Sequence, residues 1–314
     1  MDYNENGMEV YNKLTDLTKK YPRLTVALGM FDGVHIGHQS IISRAVELAR
    51  KIDGKSVVFT FSNHPLSVLA PQHMPPQIGN NILREQRLRE LGVDILLAIP
   101  FTKEFASRRP EEFLELLRLN LAPYYVVTGP NYTFGYKGKG TQRMLLREGK
   151  EYGFSAEICP AILRDGRPVS STRIRSLLSA GELHNASDFL GYPFTVMERV
   201  IHGDERGRLL GFPTANLAIS EQRVMLPNGV YAVGVKFQGH SYNGVANIGN
   251  NPTFKGCNRR IEVNIADFRG DLYDKVIAVE FLEKLRDEVK FSGAEQLIKQ
   301  IKKDKEKAGL YWRY

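Results

Sequence analysis

The fold of the first half of the chain is decided by one stretch: Val26-Ala27-Leu28-Gly29-Met30-Phe31-Asp32-Gly33-Val34-His35-Ile36-Gly37-His38. Its apolar start predicts a buried strand, and Gly29 and Gly33 permit a sharp turn before a helical pattern begins. A strand, a glycine-containing turn and a helix start form a phosphate site in α/β proteins, because the first amide groups of the helix lack partners. A lone histidine is more often an ordinary surface or core residue. Two of them at this turn predict that His35 and His38 contact phosphate oxygens.

Length and composition describe an ordinary globular protein. A chain of 314 residues favours two domains, and 42% hydrophobic with 25% charged residues is typical of a soluble protein. We find no run of eighteen apolar residues and no basic, apolar leader at the N-terminus. We therefore expect a cytoplasmic protein that does not bind membranes. Cys159 and Cys257 form no metal or redox pattern and are expected to stay thiols.

The net charge of +8 is spread over both halves of the chain, without a long basic block. Nucleic-acid binding through a basic patch is therefore not expected. A mild, distributed excess of positive charge suits a small polyanionic substrate such as a nucleotide.

Apolar runs alternate with helical patterns through the first half. We predict strands at Leu24–Leu28, Ser56–Phe61, Asp94–Ile99, Tyr124–Thr128 and Phe154–Cys159. We predict helices at Gln39–Lys51, Asn81–Leu91, Pro110–Leu119 and Gln142–Tyr152. This alternation indicates a mostly parallel sheet covered on both faces, with ligands bound beyond the carboxyl ends of its strands. Before it, residues 1–22 form a polar lead-in, in which Val10, Leu14 and Leu17 predict one amphipathic turn or helix.

A second candidate phosphate element is Ser170-Ser171-Thr172-Arg173-Ile174-Arg175, which opens a short helix through Ala180. Serine and threonine are good N-cap residues, so simple helix capping would explain them. Two hydroxyls, a helix N-terminus and two arginines also describe a phosphate clamp. Both interpretations stay open on the residues alone.

The pattern changes near residue 185, where short strands separated by turn residues begin. We predict strands at Phe194–His202, Val230–Phe237, Ser241–Ile248, Arg260–Phe268 and Val276–Phe281. They suggest an antiparallel barrel or sandwich. A helix from Ser292 to Ala308 closes the chain, and Ser292 and Glu295 are expected to form its capping box. The predicted domains are therefore 1–185 and 186–314.

A glycine-rich element follows the first strand of the second domain. It runs His202-Gly203-Asp204-Glu205-Arg206-Gly207-Arg208-Leu209-Leu210-Gly211-Phe212-Pro213-Thr214-Ala215-Asn216. Gly203, Gly207 and Gly211 let the backbone approach a ligand, and Arg206 and Arg208 can face phosphate. Thr214 and Asn216, two residues apart on an extended segment, offer the oxygen ligands that Mg²⁺ prefers. The pattern is not a P-loop, and a hairpin without a ligand would also fit it.

A carboxylate that could act as a base is Glu262. It lies in the strand Arg260-Ile261-Glu262-Val263-Asn264-Ile265, where it alternates with apolar residues. Phosphoryl transfer onto a hydroxyl usually needs such a carboxylate to take the proton. The alternation alone favours a solvent-facing side chain for Glu262.

These motifs together resemble the prokaryotic bifunctional riboflavin kinase/FMN adenylyltransferase (FAD synthetase) family, over nearly all 314 residues. The first half resembles nucleotidyltransferases through His35–His38 and Ser170–Arg175, and its flavin-specific members through Val127-Thr128-Gly129-Pro130-Asn131-Tyr132-Thr133-Phe134-Gly135. The second half resembles riboflavin kinases through Gly211–Asn216, the segment Tyr242–Gly249 and the strand of Glu262.

The resemblance implies a Rossmann-like α/β nucleotidyltransferase domain with a parallel sheet, and an antiparallel β-barrel kinase domain with a terminal helix. It implies that riboflavin is phosphorylated by ATP to FMN, and that FMN is adenylylated by ATP to FAD with release of pyrophosphate. The partners are then riboflavin, FMN, FAD and ATP, with Mg²⁺ as cofactor. The oligomeric state is not implied.

The resemblance also implies roles for residues. Glu262 would be the kinase base, which reverses the interpretation from periodicity, and Thr214 and Asn216 would hold Mg²⁺–ATP. The kinase would bind ATP through Gly203, Arg206, Gly207, Arg208, Gly211 and Asn216. At the adenylyltransferase site, ATP phosphates would contact Gly29, Phe31, Asp32, His35, Gly37, His38, Ser171, Thr172 and Arg175. The flavin side of that site would include Asn131 and His64.

Two alternatives stay open at this point. One site could have lost its activity, or the chain could be a flavin- or nucleotide-binding regulatory protein on an enzyme scaffold. The complete set of Thr214, Asn216 and Glu262 argues against the regulatory protein.

Overall fold

A computed structural model describes residues 7–202, 212–250 and 259–312. The chain folds into two compact units. The first contains the chain up to Pro75 together with Arg84–Ser170, and the second contains Pro76–Leu83 and the chain from Ser171 onward. The predicted boundary between residues 185 and 186 stays a prediction.

The first unit is built on a six-stranded parallel sheet in the order β1-β4-β3-β2-β5-β8. The six strands of this sheet are β1 (Glu9–Tyr11), β2 (Leu24–Leu28), β3 (Lys55–Phe61), β4 (Ile95–Ile99), β5 (Tyr125–Thr128) and β8 (Ser155–Ile158). Two separate two-stranded sheets are formed by β6 (Thr133–Phe134) with β7 (Gly140–Thr141), and by β9 (Leu163–Arg164) with β10 (Arg167–Pro168). The predicted parallel sheet is confirmed.

Helices cover both faces of this sheet. They are α1 (Ile36–Lys51), α2 (Leu66–Leu69), α3 (Asn81–Glu90), α4 (Lys103–Ala106), α5 (Pro110–Asn120) and α6 (Gln142–Glu148). Val26 and Leu28 of β2 face the core shared with α5 and α6, while Ala27 faces the core shared with α1. The chain builds outward from β2 through β3 to β4, and then returns to β5 on the other side of β2. The turn after β2 therefore lies at the point where the strand order reverses, the usual ligand crevice of such sheets.

The predicted amphipathic turn or helix in residues 1–22 is wrong where it includes Val10. Residues Glu9–Tyr11 form strand β1, which pairs in parallel with β4 at the sheet edge. A carboxylate holds this strand in place, since Glu9 accepts hydrogen bonds from Tyr11, Tyr21 and Lys20. Pairing with a distant strand overrides a local pattern of three apolar residues.

The second unit contains a closed antiparallel barrel in the order β11-β12-β15-β14-β13-β16. Its strands are β11 (Thr195–Ile201), β12 (Ala215–Ile219), β13 (Gly229–Phe237), β14 (His240–Asn250), β15 (Arg259–Ile265) and β16 (Val276–Arg286). Its helices are α7 (Ser171–Ala180), α8 (Leu183–Leu190) and α9 (Ala294–Ala308). The predicted barrel with a terminal helix is thus confirmed, and the sandwich is excluded.

Two helices begin at residues other than those predicted. Helix α1 begins at Ile36, three residues early, because His35 caps it. Helix α9 begins at Ala294 with Gly293 as its N-cap, without a capping hydrogen bond from a side chain. The predicted capping box of Ser292 and Glu295 is therefore wrong, since the helix starts one residue too late for that spacing. Within the described residues, no helix is long and apolar enough to cross a bilayer.

Candidate active sites

The turn after β2 is tied to the sheet through the carbonyl of Met30. This carbonyl accepts hydrogen bonds from Thr60 Oγ1 at 3.2 Å and from the Arg84 guanidinium at 3.3 Å. The next residue, Phe31, takes a left-handed backbone conformation with φ of 52°. Phe31 is fully buried and belongs to the core beneath the turn, and its predicted contact with ATP stays a prediction. Asp32 follows at the start of a short 3-10 helix and remains half-buried.

His35 is the N-cap of α1 and is 5% exposed. Its Nδ1 accepts a hydrogen bond from the backbone N–H of His38 at 3.3 Å. Gly37 permits this arrangement, because a Cβ at that position would lie 3.2 Å from the His35 ring. The cap fixes the ring at the helix N-terminus, where the remaining amide groups and the helix dipole favour an anion.

The ring of His38 stacks on that of His35, with centroids 3.6 Å apart and an angle of 18° between the planes. The ring of the buried Phe31 also contacts His38, with centroids 5.4 Å apart and the two planes nearly perpendicular. The structure thus brings His35 and His38 together at the helix start. Two adjacent imidazoles in fixed orientation can donate hydrogen bonds to developing negative charge.

Arg84 is a residue at this turn that sequence reasoning missed. It is 8% exposed, and burial lowers the pKa of its guanidinium while the charge of Asp32 acts in the opposite direction. A buried cation is costly, so its bond to the Met30 carbonyl and the nearby carboxylate are part of what retains it. Arginine stays charged in proteins, so Arg84 adds positive potential behind the turn. In the sequence it looks like any surface arginine of an amphipathic helix.

An aromatic cavity of about 630 Å³ lies in the first unit and is lined at one place by Gly29 and Met30 of this turn. Its lining includes the rings of Phe59, Phe61, Phe101, Phe105, Phe113, Tyr132, Phe134 and Tyr136. The ring of Phe61 packs edge to face on those of Phe101 and Phe105, with ring centroids 4.9 Å and 5.1 Å apart. Burial raises the pKa of the Tyr132 phenol, so it stays a neutral hydrogen-bond donor. A cavity of this size with aromatic walls suits a flat aromatic ligand.

The two residues predicted for the flavin side have different positions. Asn131 lines the cavity and is exposed. His64 does not line it: its Nδ1 accepts a hydrogen bond from the Leu66 N–H at 3.1 Å, and the next residue, Pro65, lines the cavity instead. Its neighbour Asn63 bonds both the N–H and the carbonyl of Phe101, which positions that ring. The loop of His64 therefore supports the wall of the cavity.

Gly135 controls the shape of one wall. Its φ is +71°, and a Cβ there would lie 2.7 Å from the Pro110 nitrogen. We expect Gly135→Ala to lower the free energy of unfolding by more than about 1 kcal/mol and to raise the KM for the cavity's ligand, because both the backbone and the contact are strained. Gly153 is the matched control, since its φ is +86° and nothing lies within 4 Å of its Cβ position.

Thermal unfolding and steady-state kinetics of the two variants check this prediction. Gly153→Ala should lose stability through backbone strain alone and keep its KM. Equal behaviour of both variants in stability and KM would contradict the role assigned to the Gly135 contact.

Ser171, Thr172 and Arg175 lie at the start of α7 in the second unit. The backbone there supports the predicted helix N-terminus. Arg175 Nε donates to the carbonyl of Pro76 at 2.7 Å, which holds the guanidinium in one orientation. The contact of these residues with phosphate stays a prediction.

In the barrel, three polar residues lie directly opposite one another on adjacent strands. Asn216 on β12 is the partner of Glu262 on β15, and Glu262 is the partner of Asn247 on β14. Directly opposed residues share one face of a sheet, so the three side chains form a row. The row lies outside the barrel, since the neighbouring Leu217 and Ile261 are fully buried inside.

Burial differs along this row. Asn216 is 6% exposed, whereas the Glu262 side chain is 41% exposed and lies 3.6 Å from a guanidinium nitrogen of the buried Arg260. Glu262 is therefore neither in the core nor on an ordinary solvent face. Periodicity alone predicted a solvent face and missed the buried polar neighbours Asn216 and Arg260.

The described residues include the two predicted metal ligands. Asn216 Nδ2 donates to the Thr214 carbonyl at 3.4 Å, which leaves Asn216 Oδ1 available as an acceptor. The Thr214 hydroxyl is two residues away on the same extended segment. Neutral oxygen ligands of this kind suit Mg²⁺ when substrate phosphates complete its shell. The described residues hold no group of three or more His, Cys, Asp or Glu that could bind a metal.

The predicted ATP contacts Gly203, Arg206, Gly207, Arg208 and Gly211 lie outside the described residues.

Comparison with known proteins covers both halves of the chain. A family model described as FAD synthetase matches residues 17–173, and one described as riboflavin kinase matches residues 190–312. Similar curated proteins are described as bifunctional riboflavin kinase/FMN adenylyltransferase. The protein of Bacillus subtilis is 35% identical over 302 residues, which cover 94% of this chain and 95% of that protein. The protein of Escherichia coli K12 is 36% identical over 281 residues, or 89% and 90% of the two chains.

A solved structure agrees with the fold over nearly the whole chain. It is described as a macrolide-efflux protein from Streptococcus pneumoniae and is 35% identical. The TM-score is 0.82, and the match covers 98% of this chain and 100% of that one.

Proposed function

This chain belongs to the family of bifunctional riboflavin kinase/FMN adenylyltransferases, and from that premise we propose a role for each of its two candidate sites. The protein is an enzyme with two ATP-dependent activities, the phosphorylation of riboflavin to FMN and the adenylylation of FMN to FAD. Its substrates and products are riboflavin, FMN, FAD and ATP. A cytoplasmic location without nucleic-acid partners stays a prediction from the sequence.

The aromatic cavity is the proposed FMN site of the adenylyltransferase. The observation that carries this assignment is that Gly29 and Met30 of the phosphate turn line the same cavity as the aromatic rings. A flavin ring stacked on those aromatic side chains could direct its phosphate toward the turn that binds ATP. Asn131, also in the lining, would contact FMN.

Adenylyl transfer there needs no protein nucleophile. An oxygen of the FMN phosphate attacks the α-phosphorus of ATP, the bond from that phosphorus to the bridging oxygen breaks, and pyrophosphate leaves. The attacking phosphate is already an anion, so a strong base is not needed either. The protein aligns the two phosphates and stabilises the charge that develops on the leaving group. His35 and His38 supply the donors, and Arg84 adds positive potential through the turn.

The row on the outside of the barrel is the proposed kinase site. Glu262 accepts the proton of the terminal ribityl hydroxyl as that oxygen attacks the γ-phosphorus of ATP, and ADP leaves. Asn216, opposite Glu262, together with Thr214 would hold Mg²⁺. Bound Mg²⁺ would neutralise phosphate charge. Arg260 orients the carboxylate of Glu262 from the same strand.

Separation of the products by chromatography tests the proposed function. Purified protein with riboflavin, ATP and Mg²⁺ should form FMN first and FAD later, with pyrophosphate released in step with FAD. FMN without FAD, under both oxidising and reducing conditions, would mean that the adenylyltransferase site is inactive. Flavin binding without any product would support the regulatory protein, and would overturn both assignments.

A further inference from the structure

We propose that Lys103, Arg108 and Lys137 form a cationic rim that selects the anionic flavin, FMN, over neutral flavins at the aromatic cavity. The three side chains line the cavity, and among its described lining residues there is no carboxylate. The rest of the lining is mainly aromatic or aliphatic, so these three are its charged groups. The inference rests on the proposed binding of FMN in this cavity.

A backbone hydrogen bond joins the segments that carry two of the three cations. The N–H of Tyr136 donates to the carbonyl of Arg108 at 2.6 Å, which joins the segment before α5 to the loop after β6. Lys137 follows directly. Each cation lies over an aromatic ring, with the Arg108 guanidinium 5.7 Å from the centroid of Phe105 and Lys137 Nζ 5.3 Å from that of Tyr136. Such stacking keeps the charges beside the aromatic wall.

The loop adopts a costly backbone conformation at Lys137. This residue has a φ of 55°, in the left-handed region that disfavours residues with a side chain. It lies between Gly135 and Gly138, both also at positive φ. Strained residues of this kind persist at binding sites because the surrounding structure holds them there. The turn therefore holds Lys137 in one backbone conformation at the cavity.

The acidic groups that act on Arg108 include Glu104 and Glu112, and the side chains of both are at least 46% exposed. Arg108 lies 3.9 Å from Glu104, whose side chain is 87% exposed. An exposed pair at that distance is screened by water and salt, so an incoming phosphate can replace it. Lys103, one residue before Glu104, also lines the cavity. The rim would therefore attract a phosphorylated flavin through its positive field while the phosphate itself is directed to the turn, and a neutral flavin would gain only the aromatic contacts.

Neighbouring cations provide matched controls. Arg109 follows Arg108 and Lys139 follows Gly138, but neither lines the cavity. We would compare Arg108→Gln and Lys137→Gln with Arg109→Gln and Lys139→Gln in the full-length protein. The measurements are the KM for FMN in FAD formation and the KI of lumiflavin, an uncharged flavin ring that cannot be phosphorylated, as a competitive inhibitor.

Each rim variant should raise the KM for FMN about three- to tenfold at low salt and leave kcat within about twofold. The KI of lumiflavin should not change, and the difference between rim variants and controls should shrink at high salt. Arg108→Lys should restore most of the loss, because it keeps the charge.

Two results would overturn the proposal that the rim selects FMN. One is an equal KM for FMN in rim variants and controls. The other is a parallel rise in the KM for FMN and the KI of lumiflavin, which would indicate a distorted cavity. Wild-type protein that forms no FAD would instead overturn the proposed adenylyltransferase site, so the two failures are distinguishable.

Discussion

Replacing Glu262 with glutamine should lower the rate of riboflavin phosphorylation by about 10²- to 10⁴-fold and leave FMN adenylylation unchanged. Glutamine keeps the size of the side chain and its place opposite Asn216 and Asn247, so the row keeps its shape. It removes the carboxylate proposed to take the proton from the ribityl hydroxyl. The residues proposed for adenylyl transfer, His35, His38 and Arg84, all belong to the first unit, so that reaction should not depend on this carboxylate.

Two separate assays on the same preparation measure this effect, one from riboflavin to FMN and one from FMN to FAD. Glu283→Gln is the matched control, a carboxylate on strand β16 that pairs with His184. It should retain the kinase rate. A loss of less than about tenfold in Glu262→Gln would rule out the proposed base. A loss of both activities together would mean that the substitution disturbs the protein beyond the kinase site.

Much of the first unit could be predicted because its signals are local. The buried run of β2, the glycines after it and the histidines at the helix start are close together in the sequence, so their geometry follows from strand, turn and cap rules. The capping role of His35 was not predicted, because histidine is not a usual N-cap residue. Its ring stacks on His38, a contact that also involves the close approach of Gly37 and the ring of Phe31.

Contacts between distant segments could not be predicted. Arg84 reaches Met30 across 54 residues of sequence, and the sequence offers no sign that this arginine is buried. The segment Pro76–Leu83 belongs to the barrel unit, where Asn80 Nδ2 donates to the Met197 carbonyl at 2.6 Å. Its neighbours in sequence belong to the other unit. Domain boundaries predicted from changes in composition assume that each domain is one continuous stretch of sequence. Such a prediction misses a segment of eight residues that belongs to the other unit.

The row of Asn216, Glu262 and Asn247 on the barrel shows a different limit of prediction from the sequence. Strand periodicity placed Glu262 on the face opposite the apolar residues of its strand, but it could not say what lies beside that face. The strand register supplies this, because Asn216 and Asn247 are opposite Glu262 on the two neighbouring strands. Pairing of three separate strands turns a half-exposed position into a candidate site. The resemblance to the family supplied what the pattern of one strand could not.

His38→Ala should lower the rate of FMN adenylylation by about 10²-fold and leave riboflavin phosphorylation unchanged. The side chain is proposed to donate to the charge that develops as pyrophosphate leaves, so its removal affects the transition state more than binding. The backbone N–H of residue 38 still bonds His35 Nδ1 in this variant, so the helix cap is retained. His35→Ala would remove the cap acceptor as well, which makes His38 the cleaner position to test.

Steady-state kinetics at saturating and limiting ATP separate the contribution of His38 to the transition state from its contribution to ATP binding. A lower kcat with a nearly unchanged KM for ATP is expected, since a group that acts mainly in the transition state changes kcat and kcat/KM together. His73→Ala is the control, an exposed histidine in the same unit without an assigned role. His38→Asn, which keeps a side-chain donor, should recover part of the rate if hydrogen bonding to the leaving group is the function of this ring. An unchanged kcat in His38→Ala would assign the stacked pair a purely structural role, and the stability of the variant should then fall instead.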